Sequence, residues 1–103
     1  MLSPSSIAFL KRLLDAPAPS GFETAAARVW RSEADTFADK VTTDVAGNSM
    51  AEVNAGGTPT IMLDGHIDEI GVIIQYIDDD GYLYISPIGG WDPQVLVLSL
   101  IHI

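Results

Sequence analysis

Apolar residues at the start of the chain recur at the spacing of a helix. Ile7, Leu10 and Leu14 fall at i, i+3 and i+7, and Ser3-Pro4 supplies an N-cap followed by a first-turn proline. This pattern predicts a short amphipathic helix. The helix should end near Asp15, because two of the four residues that follow are prolines.

A second helical pattern begins after Ser20. The Ser20 hydroxyl and the Glu23 carboxylate have the spacing of a capping box, in which each side chain satisfies a free backbone donor. The apolar side chains of this segment predict one buried helix face: Phe22, Ala26, Val29, Trp30 and Phe37. An aromatic stripe of this kind indicates core packing rather than a ligand site.

Beyond Lys40 the apolar positions change from helical to extended spacing. The segments that predict strands are residues 40–45, 49–54, 59–64, 70–77 and 82–86. Residues 59–64 form a continuous apolar run, which is typical of a strand buried on both faces. Two helices followed by several strands indicate an α+β fold or the opening of an α/β domain rather than an all-β module.

The charge of the chain is strongly negative and unevenly distributed. Fourteen acids against five bases give a formal net charge of -9, and no Lys or Arg follows Lys40. This charge disfavours binding to nucleic acids and to anionic membranes. The absence of cysteine excludes disulfides and thiolate metal ligands. Without a secretory signal or an apolar run of about 18 residues, the sequence predicts a soluble protein of the cytoplasm.

The segment from Asp64 to Glu69 contains the residues best suited to chemistry. In an extended chain Asp64, His66 and Asp68 point to the same side, so that carboxylates flank one imidazole. This arrangement suits a metal ligand whose ring is oriented by an acid, and Asp44 is a further, more distant carboxylate. A hydrogen-bonded structural histidine has the same spacing, and spacing alone does not decide between the two interpretations.

Two other segments indicate turns rather than sites. The acids Asp78 to Asp80 lack the alternating carboxylates and the distal glutamate of a calcium loop, so they predict a hairpin turn ending at Gly81. Gly89-Gly90 before Trp91 predicts a turn whose indole packs inward.

Four segments, in this order, resemble the M42 family of metallo-aminopeptidases. They are Ala18-Pro19-Ser20-Gly21-Phe22-Glu23, Asp44-Val45-Ala46-Gly47-Asn48, Asp64-Gly65-His66-Ile67-Asp68-Glu69-Ile70-Gly71 and Ile88-Gly89-Gly90-Trp91-Asp92-Pro93-Gln94. The resemblance extends over residues 5–97 and corresponds to the first quarter of a family member.

The resemblance implies an enzyme that releases N-terminal residues from peptides. It makes His66 the first metal ligand and Asp68 the supporting catalytic carboxylate. Family members hold two divalent ions, zinc or cobalt, with a bridging aspartate and a general-base glutamate that come later in the sequence. A single histidine is too few ligands for such a site, so we expect the chain alone to be inactive and to bind metal weakly. The resemblance also implies a large homo-oligomer.

The resemblance further implies an α/β catalytic domain that is interrupted by a β-rich dimerisation domain. Residues 1–70 are then predicted to begin the catalytic domain, and residues 71–97 to begin the inserted domain. Residues 98–103 depart from the family pattern. We predict that they are a non-native tail translated from sequencing-adapter DNA, so that His102 is not a metal ligand.

Two alternatives stay open at this point. A related two-metal deacylase would keep the scaffold and act on an acylated amino acid, and it would differ from a peptidase in downstream pocket residues. A non-catalytic β-rich interaction module would make His66 a structural residue. In each case we expect the isolated chain to aggregate through unpaired strand edges.

Overall fold

A computed structural model describes residues 2–99 of the chain, and His102 lies outside the described residues. The chain divides into two compact units, one ending at Asp68 and the other beginning at Glu69. The first unit contains two helices and a two-stranded sheet, and the second contains another two-stranded sheet and a short 3₁₀ helix. The predicted α/β class is confirmed. The assignment of the second unit to an inserted dimerisation domain stays a prediction.

Helix α1 (Pro4–Leu14) forms where the sequence predicts it. Ser3 is the N-cap, and its hydroxyl accepts a hydrogen bond from the backbone N–H of Ser6 at 3.1 Å. The C-cap is Asp15, directly before the proline-rich segment. The local signals for the start and end of this helix are therefore sufficient to place it.

Helix α2 (Thr24–Ala34) also forms, but the predicted capping box is wrong. A capping serine must occupy the N-cap position, and that position is held by Glu23 because the helix begins four residues after Ser20. The Glu23 carboxylate instead accepts a hydrogen bond from the backbone N–H of Gly21. The Ser20 hydroxyl is thereby left for a partner elsewhere in the chain.

Among the described residues of the first unit, those that are buried are alanines: Ala18, Ala26, Ala27 and Ala34. The predicted aromatic face is only partly correct, since Trp30 is half-buried whereas Phe22 is 78% and Phe37 63% exposed. Both phenylalanines lie outside the helix and so do not share its inner face.

Strands β1 (Lys40–Thr43) and β2 (Ser49–Glu52) form an antiparallel hairpin, as predicted. The Arg31 guanidinium donates a hydrogen bond to the Ser49 hydroxyl at 3.0 Å and connects α2 to this hairpin.

The buried strand predicted over residues 59–64 does not form among the described residues. Ile61, Met62 and Leu63 are all exposed, Leu63 by 94%. A strand needs a hydrogen-bonded neighbour, and no segment within residues 2–99 pairs with this one. The expectation that His66 follows a buried strand is therefore wrong for this chain.

The second unit is built on an antiparallel hairpin of β3 (Gly71–Ile77) and β4 (Leu83–Ile88). The register shifts between Ile74 and Tyr76, which corresponds to a β-bulge. Beyond the bulge, the ring centroids of Tyr76 and Tyr84 lie 5.6 Å apart. A 3₁₀ helix (Pro93–Leu96) follows. None of the helices in the described part of the chain has the length and apolar character required to cross a membrane.

Candidate functional site

His66 and Asp68 form a hydrogen-bonded pair on an irregular segment of the first unit. The His66 Nδ1 atom lies 2.8 Å from Asp68 Oδ1. The two side chains are two residues apart and meet on one side of the chain, as the alternation of an extended segment predicts. The imidazole is 85% exposed and the Asp68 side chain 38% exposed. The ring is thus held at one nitrogen and open at the other.

The charge of Asp68 determines which nitrogen of His66 carries the proton. Hydrogen bonds from Ser20, the larger cause, and from His66 hold the pKa of Asp68 below its ordinary value of 3.8. At neutral pH the carboxylate is therefore an acceptor only, and Nδ1 of His66 must donate to it. The lone pair of the neutral ring is then on Nε2, which is the atom that a metal ion can use.

Ser20 completes this arrangement from a distant part of the sequence. Its hydroxyl donates to Asp68 Oδ2, while His66 occupies Oδ1 of the same carboxylate. Ser20 lies in the connection between α1 and α2, in a turn closed by a 2.8 Å hydrogen bond from Phe22 N–H to the Pro19 carbonyl. We did not predict this contact from the sequence. Its only signal is the position of Ser20 inside one of the four motifs.

The more distant carboxylate, Asp44, does not belong to the pair. Its side chain accepts hydrogen bonds from the backbone N–H groups of Ala46 and Asn48, both at 2.9 Å, and from the Asn48 amide at 2.8 Å. The Asn48 amide, before these backbone bonds, lowers the pKa of Asp44 below its ordinary value. Asp44 therefore stabilises the turn between β1 and β2.

The two segments predicted to be turns in the second unit are confirmed. Asp78 Oδ1 accepts hydrogen bonds from the backbone N–H groups of Asp80 and Tyr82, which closes the turn between β3 and β4. The half-buried Trp91 indole donates to the carbonyls of Ile88 at 3.0 Å and Gly71 at 3.2 Å.

The donors of this chain fit a divalent metal ion only in part. His66 presents one nitrogen lone pair, with a carboxylate behind the ring in the arrangement that is common for metal-bound histidines. Within residues 2–99, however, no three His, Cys, Asp or Glu side chains come close enough to hold an ion together. The described residues thus contain one oriented histidine and no complete set of metal-binding side chains.

Comparison with known proteins identifies the family of the chain. The family model described as M42 glutamyl aminopeptidase matches residues 47–103, which is more than half of the chain. The chain belongs to the M42 family. The matched range includes residues 98–103, and the adapter origin of that tail stays a prediction.

Three aminopeptidases show how much of an M42 protein is present. A lysyl aminopeptidase of Pyrococcus furiosus is 36% identical over 94 residues, which is 90% of this chain and 27% of that protein. A glutamyl aminopeptidase of Lactococcus lactis is 42% identical over 38 residues, which is 37% of this chain and 11% of that protein. A crystal structure of a TET aminopeptidase from a marine sediment thaumarchaeon superposes with a TM-score of 0.83 at 34% identity, covering 91% of this chain and 26% of that one. The chain spans about a quarter of the length of the relatives that it matches over most of its own length.

Proposed function

We propose that this chain is the N-terminal part of a metal-dependent aminopeptidase, in which His66 is a metal ligand and Asp68 orients it. The observation that supports the proposal is the 2.8 Å hydrogen bond between His66 Nδ1 and Asp68 in a member of the M42 family. In this pair the carboxylate holds the ring in the tautomer that leaves Nε2 available. The 85% exposure of the imidazole leaves this nitrogen accessible to an ion and to further ligands.

The remaining ligands and the general base would come from sequence beyond the quarter that this chain represents. Two divalent ions, zinc or cobalt, would supply an activated water and polarise the scissile carbonyl when they are bound. The contribution of this chain is to present the His66 nitrogen, while the hydrogen bond to Asp68 keeps the His66 ring from rotating. Because the described residues bring together no three metal-binding side chains, the chain alone should be inactive.

The substrate that we propose is the free N-terminus of a peptide, since the three relatives described above are named as aminopeptidases. We also propose that the complete enzyme is a homo-oligomer and works in the cytoplasm. The side chain that it prefers at the N-terminus depends on pocket residues that lie outside this chain.

The test is zinc binding and peptidase activity in the complete protein encoded at this locus. Competition with a chromophoric chelator gives the zinc Kd, and aminoacyl p-nitroanilides and short peptides give the activity. His66→Ala should abolish activity and weaken zinc binding by more than about 100-fold, and Asp68→Asn should weaken it by about 10- to 100-fold. The matched control is Asp79→Asn, which removes an exposed carboxylate from the turn of the second unit and should change neither value.

Three outcomes would contradict the proposal in different ways. Unchanged zinc affinity in His66→Ala would show that His66 is not a ligand. Hydrolysis of N-acyl amino acids without cleavage of peptides would identify a deacylase instead. A complete protein that binds no divalent ion and cleaves neither class of substrate would support the non-catalytic interaction module.

A further inference from the structure

Asp68 has two carboxylate oxygens, and each is held from a different part of the chain. Oδ1 is paired with His66 on the same segment, and Oδ2 accepts the Ser20 hydroxyl from the connection between α1 and α2. The terminal torsion of an aspartate side chain is broad, so a single hydrogen bond leaves the carboxylate plane poorly defined. A second donor on the other oxygen fixes that plane, and with it the direction in which His66 is held.

Little else in the segment that carries His66 fixes the orientation of its side chains. Residues 59–68 form neither helix nor strand and belong to neither of the two sheets in the described part of the chain. The imidazole is 85% exposed, so close packing does not fix the ring either. The orientation of the ring therefore depends on its hydrogen-bonded partners.

Ser20, in contrast, sits on a well-defined part of the first unit. The turn that contains it is closed by the Phe22 N–H to Pro19 carbonyl bond, and the neighbouring Ala18 is only 3% exposed. Gly21 has a φ of 89°, a conformation that glycine adopts without strain, and its N–H is bound by the Glu23 carboxylate. The hydroxyl of Ser20 is thus presented by a short, constrained turn next to a helix.

We infer that Ser20 is a positioning residue of the metal site, whose hydroxyl orients Asp68 and through it the imidazole of His66. The inference rests on the proposed function and adds a third member to the pair. Ser20 touches neither the ion nor the substrate in this role. Ser20 affects the orientation of the His66 ring, so loss of its hydroxyl should change the metal affinity and the coordination geometry.

The experiment uses the complete protein with Ser20→Ala, Ser20→Thr and, as the matched control, Ser32→Ala, which removes an exposed hydroxyl from α2. Three quantities are measured: the zinc Kd by chelator competition, the visible absorption of the cobalt-substituted protein, and kcat and KM separately. Loss of the orienting hydroxyl should weaken zinc binding by about 3- to 10-fold, less than the 10- to 100-fold typical of the direct partner of a metal-bound histidine. It should also change the cobalt spectrum and lower kcat with little change in KM.

Ser20→Thr keeps the hydroxyl and should restore the zinc Kd and the cobalt spectrum to those of the wild type. Thermal unfolding separates positioning from general stability, because a purely structural role would lower the melting temperature of Ser20→Ala without changing the affinity of the folded protein. A Ser20→Ala protein with the zinc Kd and cobalt spectrum of the wild type would overturn the inference. A threonine variant as impaired as the alanine variant would overturn it as well.

Adding His66→Ala to the same zinc-binding measurements separates this inference from the proposed function. If His66→Ala abolishes zinc binding while Ser20→Ala does not affect it, the metal ligand stands and only the positioning role is lost. If His66→Ala binds zinc like the wild type, the ligand assignment fails, and the role of Ser20 at the site fails with it.

Discussion

The turn that presents Ser20 depends on a backbone conformation that only glycine adopts easily. The turn is closed by a hydrogen bond from Phe22 N–H to the Pro19 carbonyl, and Gly21 follows Ser20 within it. Gly21 has a φ of 89°, as the third residue of a type II turn requires. A Cβ at Gly21 would meet no atom within 4 Å, so the conformation, rather than a clash, sets the cost of a substitution. An L-residue in this region costs about 1–2 kcal/mol. Gly21→Ala should therefore destabilise the native turn by about that amount, which corresponds to a factor of about 5 to 30 in its population.

The assay is urea unfolding of the complete protein, with stability read from the midpoint at unchanged slope. Gly56→Ala is the matched control, because Gly56 has no positive φ and a Cβ there would also meet no neighbouring atom. Gly21→Asn should fall between wild type and Gly21→Ala, since asparagine tolerates positive φ better than alanine does. If Gly21→Ala were as stable as Gly56→Ala, the argument from backbone conformation would be refuted.

Three further predictions concern other parts of the chain. The pKa of Asp44 is lowered in the folded state, so its contribution to stability is complete above its ordinary pKa of 3.8 and is lost as the pH falls through the lower folded value. Asp44→Asn should therefore make the melting temperature fall less steeply with pH on the acid side. An unchanged acid-side slope would contradict this. Trp91→Phe removes the N–H donor shared by two backbone carbonyls and should lower the free energy of unfolding in urea by about 1–2 kcal/mol. The control Tyr82→Phe, at an exposed ring, should leave the free energy of unfolding almost unchanged. Equal effects of the two substitutions would refute the role of the indole. The isolated chain should bind a hydrophobic dye and self-associate through exposed apolar residues such as Ile61 and Leu63, and a monomer with one sharp unfolding transition would argue against that.

The elements that the sequence predicts correctly are those specified by nearby residues. Helix α1 starts at a serine cap and stops at prolines, and each hairpin turn is closed by an aspartate, Asp44 or Asp78, within five residues of its partners. The hydrogen bond of His66 to Asp68 is equally local, which is why alternation along the chain predicts it. These features need no information from distant sequence.

The elements that the sequence predicts wrongly depend on distant partners. The apolar run at residues 59–64 has the composition of a central strand, but a strand exists only where another strand pairs with it. The partner of the Ser20 hydroxyl, Asp68, lies 48 residues away. Neighbouring residues alone therefore predicted a capping box, in which the hydroxyl would bind nearby backbone. Phe22 and Phe37 are likewise apolar but mostly exposed in the described part of the chain.

The order of Ser20, His66 and Asp68 along the chain has a consequence for biosynthesis. All three lie in the unit that ends at Asp68, and a ribosome delivers the N-terminal segments of a protein first. Their mutual hydrogen bonds involve no residue after Asp68, so they can form while translation of the polypeptide continues. All the side chains that orient the imidazole have therefore been synthesised once translation has reached Asp68.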